Sequence, residues 1–277
     1  MKEQNTLSNL CSKMPPGEEK YNTDNGMIKA RGISYSETEL ASAIMECAHS
    51  IVWDSEGTVR IATVLAALAK TAFETDGIKR ILQNNWTPES WRIGEAIAES
   101  YLIGHCQCMF PWPTGRDLRN PRSSPGGTDL VGFQYSNGGN GGHRFTFGEV
   151  KTSTQEKWPP SVVTGRHGLI KQIEGLMDTP KTKDNLVKYL AHHAIGSWWI
   201  NGYQSAAKKY LANPYDVSLF GLLVRDVQPD IEDLKDRTIK LSTSCPADTT
   251  IELWAIYLPP KSIDDLPKKI AERHKEG

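Results

Sequence analysis

Asp129, Glu149 and Lys151 are the residues whose types and spacing best suit chemistry in this chain. Asp129 stands in Gly127-Thr128-Asp129-Leu130-Val131-Gly132, and the other two close Phe147-Gly148-Glu149-Val150-Lys151. Side chains alternate faces along a strand, so Glu149 and Lys151 share a face and Val150 points into the opposite layer. If the two runs pair antiparallel, Asp129 at the start of one meets Glu149 near the end of the other. Two carboxylates and a backbone carbonyl between them suit Mg²⁺ or Mn²⁺, hard ions that take oxygen ligands and keep several waters. A lysine beside them can orient or activate an attacking water and steady charge that builds on a phosphate. The bland alternative is a surface cross-strand ion pair worth under about 1 kcal/mol. Leu130, Val131, Phe145 and Phe147 make these strands half-buried and favour the chemical role.

The hairpin is legible because period-two runs at residues 128–135 and 143–151 flank a Ser/Asn/Gly loop at 136–142. Ahead of it, Thr87 can cap and Pro88 can open a helix running to about Ile103. That helix carries Glu95 and Glu99, four apart on one face. Glu95 shares a stripe with Trp91, Ala98 and Leu102 and should face the domain, whereas Glu99 lies nearer a polar flank with Arg92, so Glu95 is the preferred helix acid.

Further helices are expected near residues 168–177 and 185–194, and short apolar strands of central type at 217–224 and 251–258. Upstream, 37–53 has helical spacing with Ser36 as N-cap. Residues 58–73, alanine-rich and apolar on more than one side, predict a buried helix. Residues 1–35 show no period. The division expected is therefore an N-terminal arm or tail over 1–35, a helical extension over 36–86 and a core over 87–277. Helices, hairpin, helix, strand, strand in that order give an α/β chain with a mixed central sheet flanked by helices.

Asp129 followed twenty residues later by Glu149-Val150-Lys151 at the end of an apolar strand resembles the PD-(D/E)xK nuclease superfamily. The resemblance spans about residues 88–258 in element order: a leading helix, the hairpin with the motif, a following helix, then strands. A proline usually precedes the acid, and Thr128 stands there instead. The resemblance implies a restriction-endonuclease-like core and a Mg-dependent endonuclease that hydrolyses DNA phosphodiester bonds. Glu95, Asp129, Glu149 and Lys151 would be catalytic, and Glu95, Asp129, Glu149 and the Val150 backbone carbonyl would hold Mg²⁺ or Mn²⁺. Similar nucleases place a Gln or Lys on the following helix, where Lys171 and Gln172 stand. A narrower resemblance rests on Gly94-Glu95, Gly127-Thr128-Asp129, Gly148-Glu149-Val150-Lys151 and the terminal Leu258-Pro259-Pro260. It points to nuclease subunits of Hachiman-type antiphage defence, and implies a helicase or other ATPase partner. Two rivals remain: a catalytically inactive binding or assembly module of the same fold, and an RNA-cleaving, toxin-like nuclease.

Across 277 residues, 32 Lys and Arg nearly balance 33 Asp and Glu, which excludes both a polybasic nucleic-acid coat and a disordered acidic tail. DNA contacts must then be local. Arg144, Lys151, Lys157, Arg166 and Lys171 outnumber Glu149 and Glu156, and Arg116, Arg119 and Arg122 form a second basic cluster. Weak, salt-sensitive binding is expected, with help from a partner or from self-association into a homo-oligomer. No apolar run approaches the roughly 20 residues of a membrane span, so a cytoplasmic protein with no membrane partner is expected. Five scattered cysteines fit a reducing compartment. His105-Cys106-Gln107-Cys108 lacks the spacing of a zinc site, and neither a phosphate-binding P-loop nor a Gly-x-Ser-x-Gly elbow is present. Of the adjacent His192 and His193, at most one would face a site. Trp198-Trp199 should be core, with one ring able to stack on a base if exposed.

Overall fold

The computed structural model describes residues 6–26, 28–83, 86–117, 127–135 and 142–276. Helix α1 (Thr6–Cys11) leads into strands β1 (Glu18–Asn25) and β2 (Ile28–Ser34). A helical run follows, from α2 (Glu37–Glu39) through a π turn (Leu40–Ile44) to α3 (Met45–Val52), then α4 (Ser55–Ala66), α5 (Ala72–Leu82) and α6 (Ser90–His105). Strands β3 (Cys108–Met109), β4 (Leu130–Tyr135) and β5 (His143–Ser153) precede helices α7 (Ser161–Thr164), α8 (Leu169–Asp178), α9 (Pro180–Ala194) and α10 (Ile200–Ala212). The chain closes with β6 (Val217–Arg225), α11 (Lys235–Ser242), β7 (Thr250–Tyr257) and α12 (Leu266–Glu276).

The chain is α/β, with one mixed seven-stranded sheet in the order β1-β2-β7-β6-β5-β4-β3. The four central strands β2, β7, β6 and β5 run parallel, and β1, β4 and β3 pair antiparallel at the two sides. Every residue of β6 is buried, as in a central parallel strand, which is why residues 219–224 read as an apolar run rather than an alternation. Leu130, Val150, Leu222 and Val224 pack with Ile51, Ile93 and Ile97 of α3 and α6 on one face. Phe133, Phe145, Phe147 and Leu219 pack with Leu169 and Ile173 of α8 on the other. At the end of β6, Arg225 is fully buried against Asp233 at 2.6 Å and bonds the carbonyls of Gln155 and Lys157, which pins the chain leaving β5. Breaking such a buried pair costs about 3–5 kcal/mol.

Four expectations are corrected. Residues 1–35 are not a loose arm: β2 completes the parallel core against β7, and Cys11 and Met14 are buried. The polar, mostly exposed β1 carries no apolar alternation, which hid the hairpin. The expected extension at 36–86 is also only partly separate, because α3 shares the core of α6. Within it, the buried helix expected at 58–73 is two helices with their apolar side chains outside; Val59, Val64 and Leu68 are exposed and Phe73 is 78% exposed. Ser36 does cap its helix, in a reciprocal capping box with Glu39, but α6 starts at Ser90 with Glu89, not Thr87, at its N-cap position. Among the described residues no helix is long and apolar enough to cross a membrane.

Candidate active site

The site forms where one strand outruns its neighbour. β4 pairs with β5 from Tyr135↔His143 up to Leu130↔Gly148, while β5 continues to Ser153 beside β6. Asp129 is thus the first residue beyond the ladder, and its carboxylate takes over the ladder's role: the Val150 N–H donates to Asp129 Oδ2 at 2.8 Å. The N–H and C=O of one strand residue point to the same side, so the Val150 carbonyl also opens toward the space that β4 vacates.

Glu149 is 3% exposed, and its Oε2 has no hydrogen-bond partner; Lys151 Nζ stands 3.7 Å from it, an ion-pair distance, with its side chain 22% exposed. Burial first, then the charge of Asp129, pushes the Glu149 carboxyl up to about 8. Burial also raises Asp129, opposed by the Val150 N–H, by Lys151 and by a hydrogen bond with Glu149. Two buried carboxyl groups joined by a hydrogen bond favour sharing a proton over ionising together.

Helix α6 lies close on β5 because Gly94 has no side chain: a Cβ there would fall 2.0 Å from Thr152 Oγ1. That approach brings Glu95 to the cluster. Glu95 is buried, accepts from Arg92 Nη1 at 2.9 Å, and is pushed up to about 7 by burial and then by Asp129, against the pull of Arg92 and Lys151. Glu99 is not on a polar flank as expected but equally buried, and its charged neighbours are Arg92, Glu95, Asp54 and Arg116 rather than Asp129 or Lys151. Of the two helix acids, Glu95 joins the cluster. Arg92, the cation between them, was missed; its spacing of three from Glu95 was the available signal.

Among the described residues no three His, Cys, Asp or Glu side chains gather as a group that could hold a metal. Glu95, expected as a third ligand, is engaged by Arg92 instead. Asp129, Glu149 and the Val150 carbonyl nevertheless suit a hard divalent ion. All three are oxygen donors, one carboxylate oxygen is buried without a partner, and both acids are shifted toward the protonated form that a cation would reverse.

Other candidates fall elsewhere. Lys171 is paired with Glu174 at 2.6 Å, while Gln172 Oε1 is buried without a partner. Arg144 bonds Gln134 and Thr250, and Arg116 makes a bidentate pair with Asp54, so neither is free for a phosphate; Arg119 and Arg122, like the loop at 136–141, lie outside the described residues. The His105 ring bonds the Pro15 carbonyl, all five cysteines are free, and His193 stacks on Trp112 at 4.1 Å. No protein-family model matches the chain, and no curated protein sequence matches it significantly.

Proposed function

We propose that the chain is a metal-dependent nuclease with a restriction-endonuclease-like core that hydrolyses DNA phosphodiester bonds. The observation that carries this is the convergence of Asp129, Glu149 and Lys151 where β5 outruns β4, with Glu95 held against them by α6. The order of α6, the antiparallel β3-β4-β5, α8 and then parallel β6 supports the same fold. Mg²⁺ or Mn²⁺ held by Asp129, Glu149 and the Val150 carbonyl would supply Lewis-acid polarisation of the phosphate and a more acidic water.

The protein's own groups do the rest. The Val150 N–H fixes the orientation of Asp129. Lys151, on the face of Glu149 and partly open to solvent, orients the water and steadies charge on the phosphate. Arg92 restrains Glu95 and offsets the accumulated negative charge. A role in antiphage defence beside a helicase belongs to the same proposal, supported by the uncovered apolar side chains of α4 and α5, which suit a protein partner. The test offers DNA and RNA in parallel to the purified chain with Mg²⁺, and compares Lys151→Ala. Cleavage of DNA by wild type and not by the variant is expected; equal rates would overturn the assignment, and cleavage of RNA alone would favour the toxin-like rival.

A further inference from the structure

A cavity of about 570 Å³ lies beside α6, one helical turn from the candidate active site, and nothing in the proposed reaction uses it. Its volume falls in the ~300–1,000 Å³ range of small-ligand pockets, and its walls have their usual make-up: apolar surface with a few polar groups. Leu10, Ile51, Val59, Ile103, Phe110 and Trp198 supply the apolar part. Trp199 is core, but Trp198 is 38% exposed and lines this cavity.

The polar part is Glu99, Asp54, Arg116 and Arg60, with Glu56 and the hydroxyls of Ser8, Ser50 and Ser55 in the same lining. Asp54 and Arg116 satisfy each other through bonds of 2.6 and 2.7 Å. Glu99 is different: it is 5% exposed, and its Oε1 has no hydrogen-bond partner. A buried polar atom left unpaired in a cavity wall needs an explanation, and a ligand that donates to it is one. Arg60, on the exposed side of α4, adds a cation to the same lining.

We infer that this cavity binds a guanine nucleotide, with the Glu99 carboxyl accepting from the adjacent imino and amino N–H groups of the base and Arg60 meeting the phosphate. Guanine alone among the common bases presents two neighbouring donors in a plane that one carboxylate can accept together. Phe110 and Trp198 offer aromatic surface for the base, a contact that suits any π-face and leaves selectivity to Glu99. A simple amidinium would also satisfy Glu99 but gains nothing from Arg60. Burial pushes the Glu99 carboxyl up to about 7, so both forms are populated near neutral pH and two N–H donors would draw it to the ionised one. None of this depends on nuclease activity.

The experiment is calorimetric titration of the purified full chain with GMP, IMP, AMP and benzamidine. GMP is expected to bind, with IMP, which lacks the amino group, at least about tenfold weaker, and AMP weaker again. Glu99→Gln should weaken GMP by at least about tenfold, and Arg60→Ala should weaken GMP without affecting guanosine. Val59→Trp, a substitution on the exposed outer wall that spares the core, should block binding even if Glu99→Gln fails to fold. Absence of GMP binding, equal affinity for GMP and AMP, or GMP binding unchanged in Val59→Trp overturns the inference. Binding of benzamidine without GMP also overturns it, in favour of a site for a cation.

Discussion

The Asp129 carboxylate accepts the Val150 N–H at 2.8 Å, so one side chain both finishes the β4–β5 pairing and is aimed by it. Lys151, two residues from the start of this unpaired stretch, has no such structural duty. Lys151→Ala is therefore expected to lower DNA cleavage by at least about a hundredfold while leaving thermal unfolding nearly unchanged. Asp129→Ala should abolish cleavage and also cost about 1–3 kcal/mol, because the Val150 N–H loses its partner. Nicking assays with melting curves separate the two behaviours; a large melting shift in Lys151→Ala would contradict the division of roles.

Glu149 titrates far above its ordinary value of 4.5, at about 8, so the folded state holds a proton that the unfolded chain releases. Stability contributed by that proton is complete below the unfolded pKa and is lost as pH rises through the window up to about 8. The metal-free protein should therefore melt at progressively lower temperature across this range. Glu149→Gln, which keeps the neutral shape, should remove part of the dependence and leave the share of Glu95 and Glu99, both pushed up to about 7, and a wild-type profile that rises with pH would count against the assigned shift.

Addition of Mg²⁺ or Mn²⁺ is expected to raise the melting temperature most at high pH, where the acids are ionised, and to support cleavage that a chelator stops. Ca²⁺ should bind with little turnover, since its looser geometry activates water poorly. Cleavage that survives exhaustive chelation would require another mechanism.

Gly94→Ala tests how closely α6 must approach the sheet. The added Cβ would fall 2.0 Å from Thr152 Oγ1, on a side chain whose β-branch leaves little room to turn. A loss of about 1–3 kcal/mol is expected, with reduced cleavage as Glu95 is displaced. Thr152→Ala in the same chain should recover part of both. Full activity and stability in Gly94→Ala would show that the contact does not matter.

DNA binding by the isolated chain should be weak and fall with salt in proportion to few phosphate contacts, because Arg116 and Arg144 are committed to partners within the protein. A salt titration by fluorescence anisotropy measures this. Steep salt dependence with tight binding would reveal a basic surface elsewhere.

Much of this site was legible in the sequence because it lies on strands. Alternation in residues 143–151 and the Ser/Asn/Gly loop located the hairpin, and β6 and β7 fall within a residue of the runs expected at 217–224 and 251–258. What the sequence could not show was which surfaces meet. The helices over 58–73 have the same alanine-rich pattern whether covered or bare, and β2 is a strand largely because β7 accepts it, with β1 pairing on β2 in turn. Arg92 and the burial of Glu99 likewise depend on what packs over α6, which helical spacing alone does not specify.

The pairing of β2 with β7 has a temporal meaning. Ile28 pairs with Ile251, so the parallel centre of the sheet closes only across most of the described chain, a long-range contact that forms slowly. Until then β2 has only β1 beside it, and β6, which aligns β5 and its lysine, lacks its outer neighbour. The chain would thus reach the geometry of its candidate site late in folding, after β7 has joined the sheet.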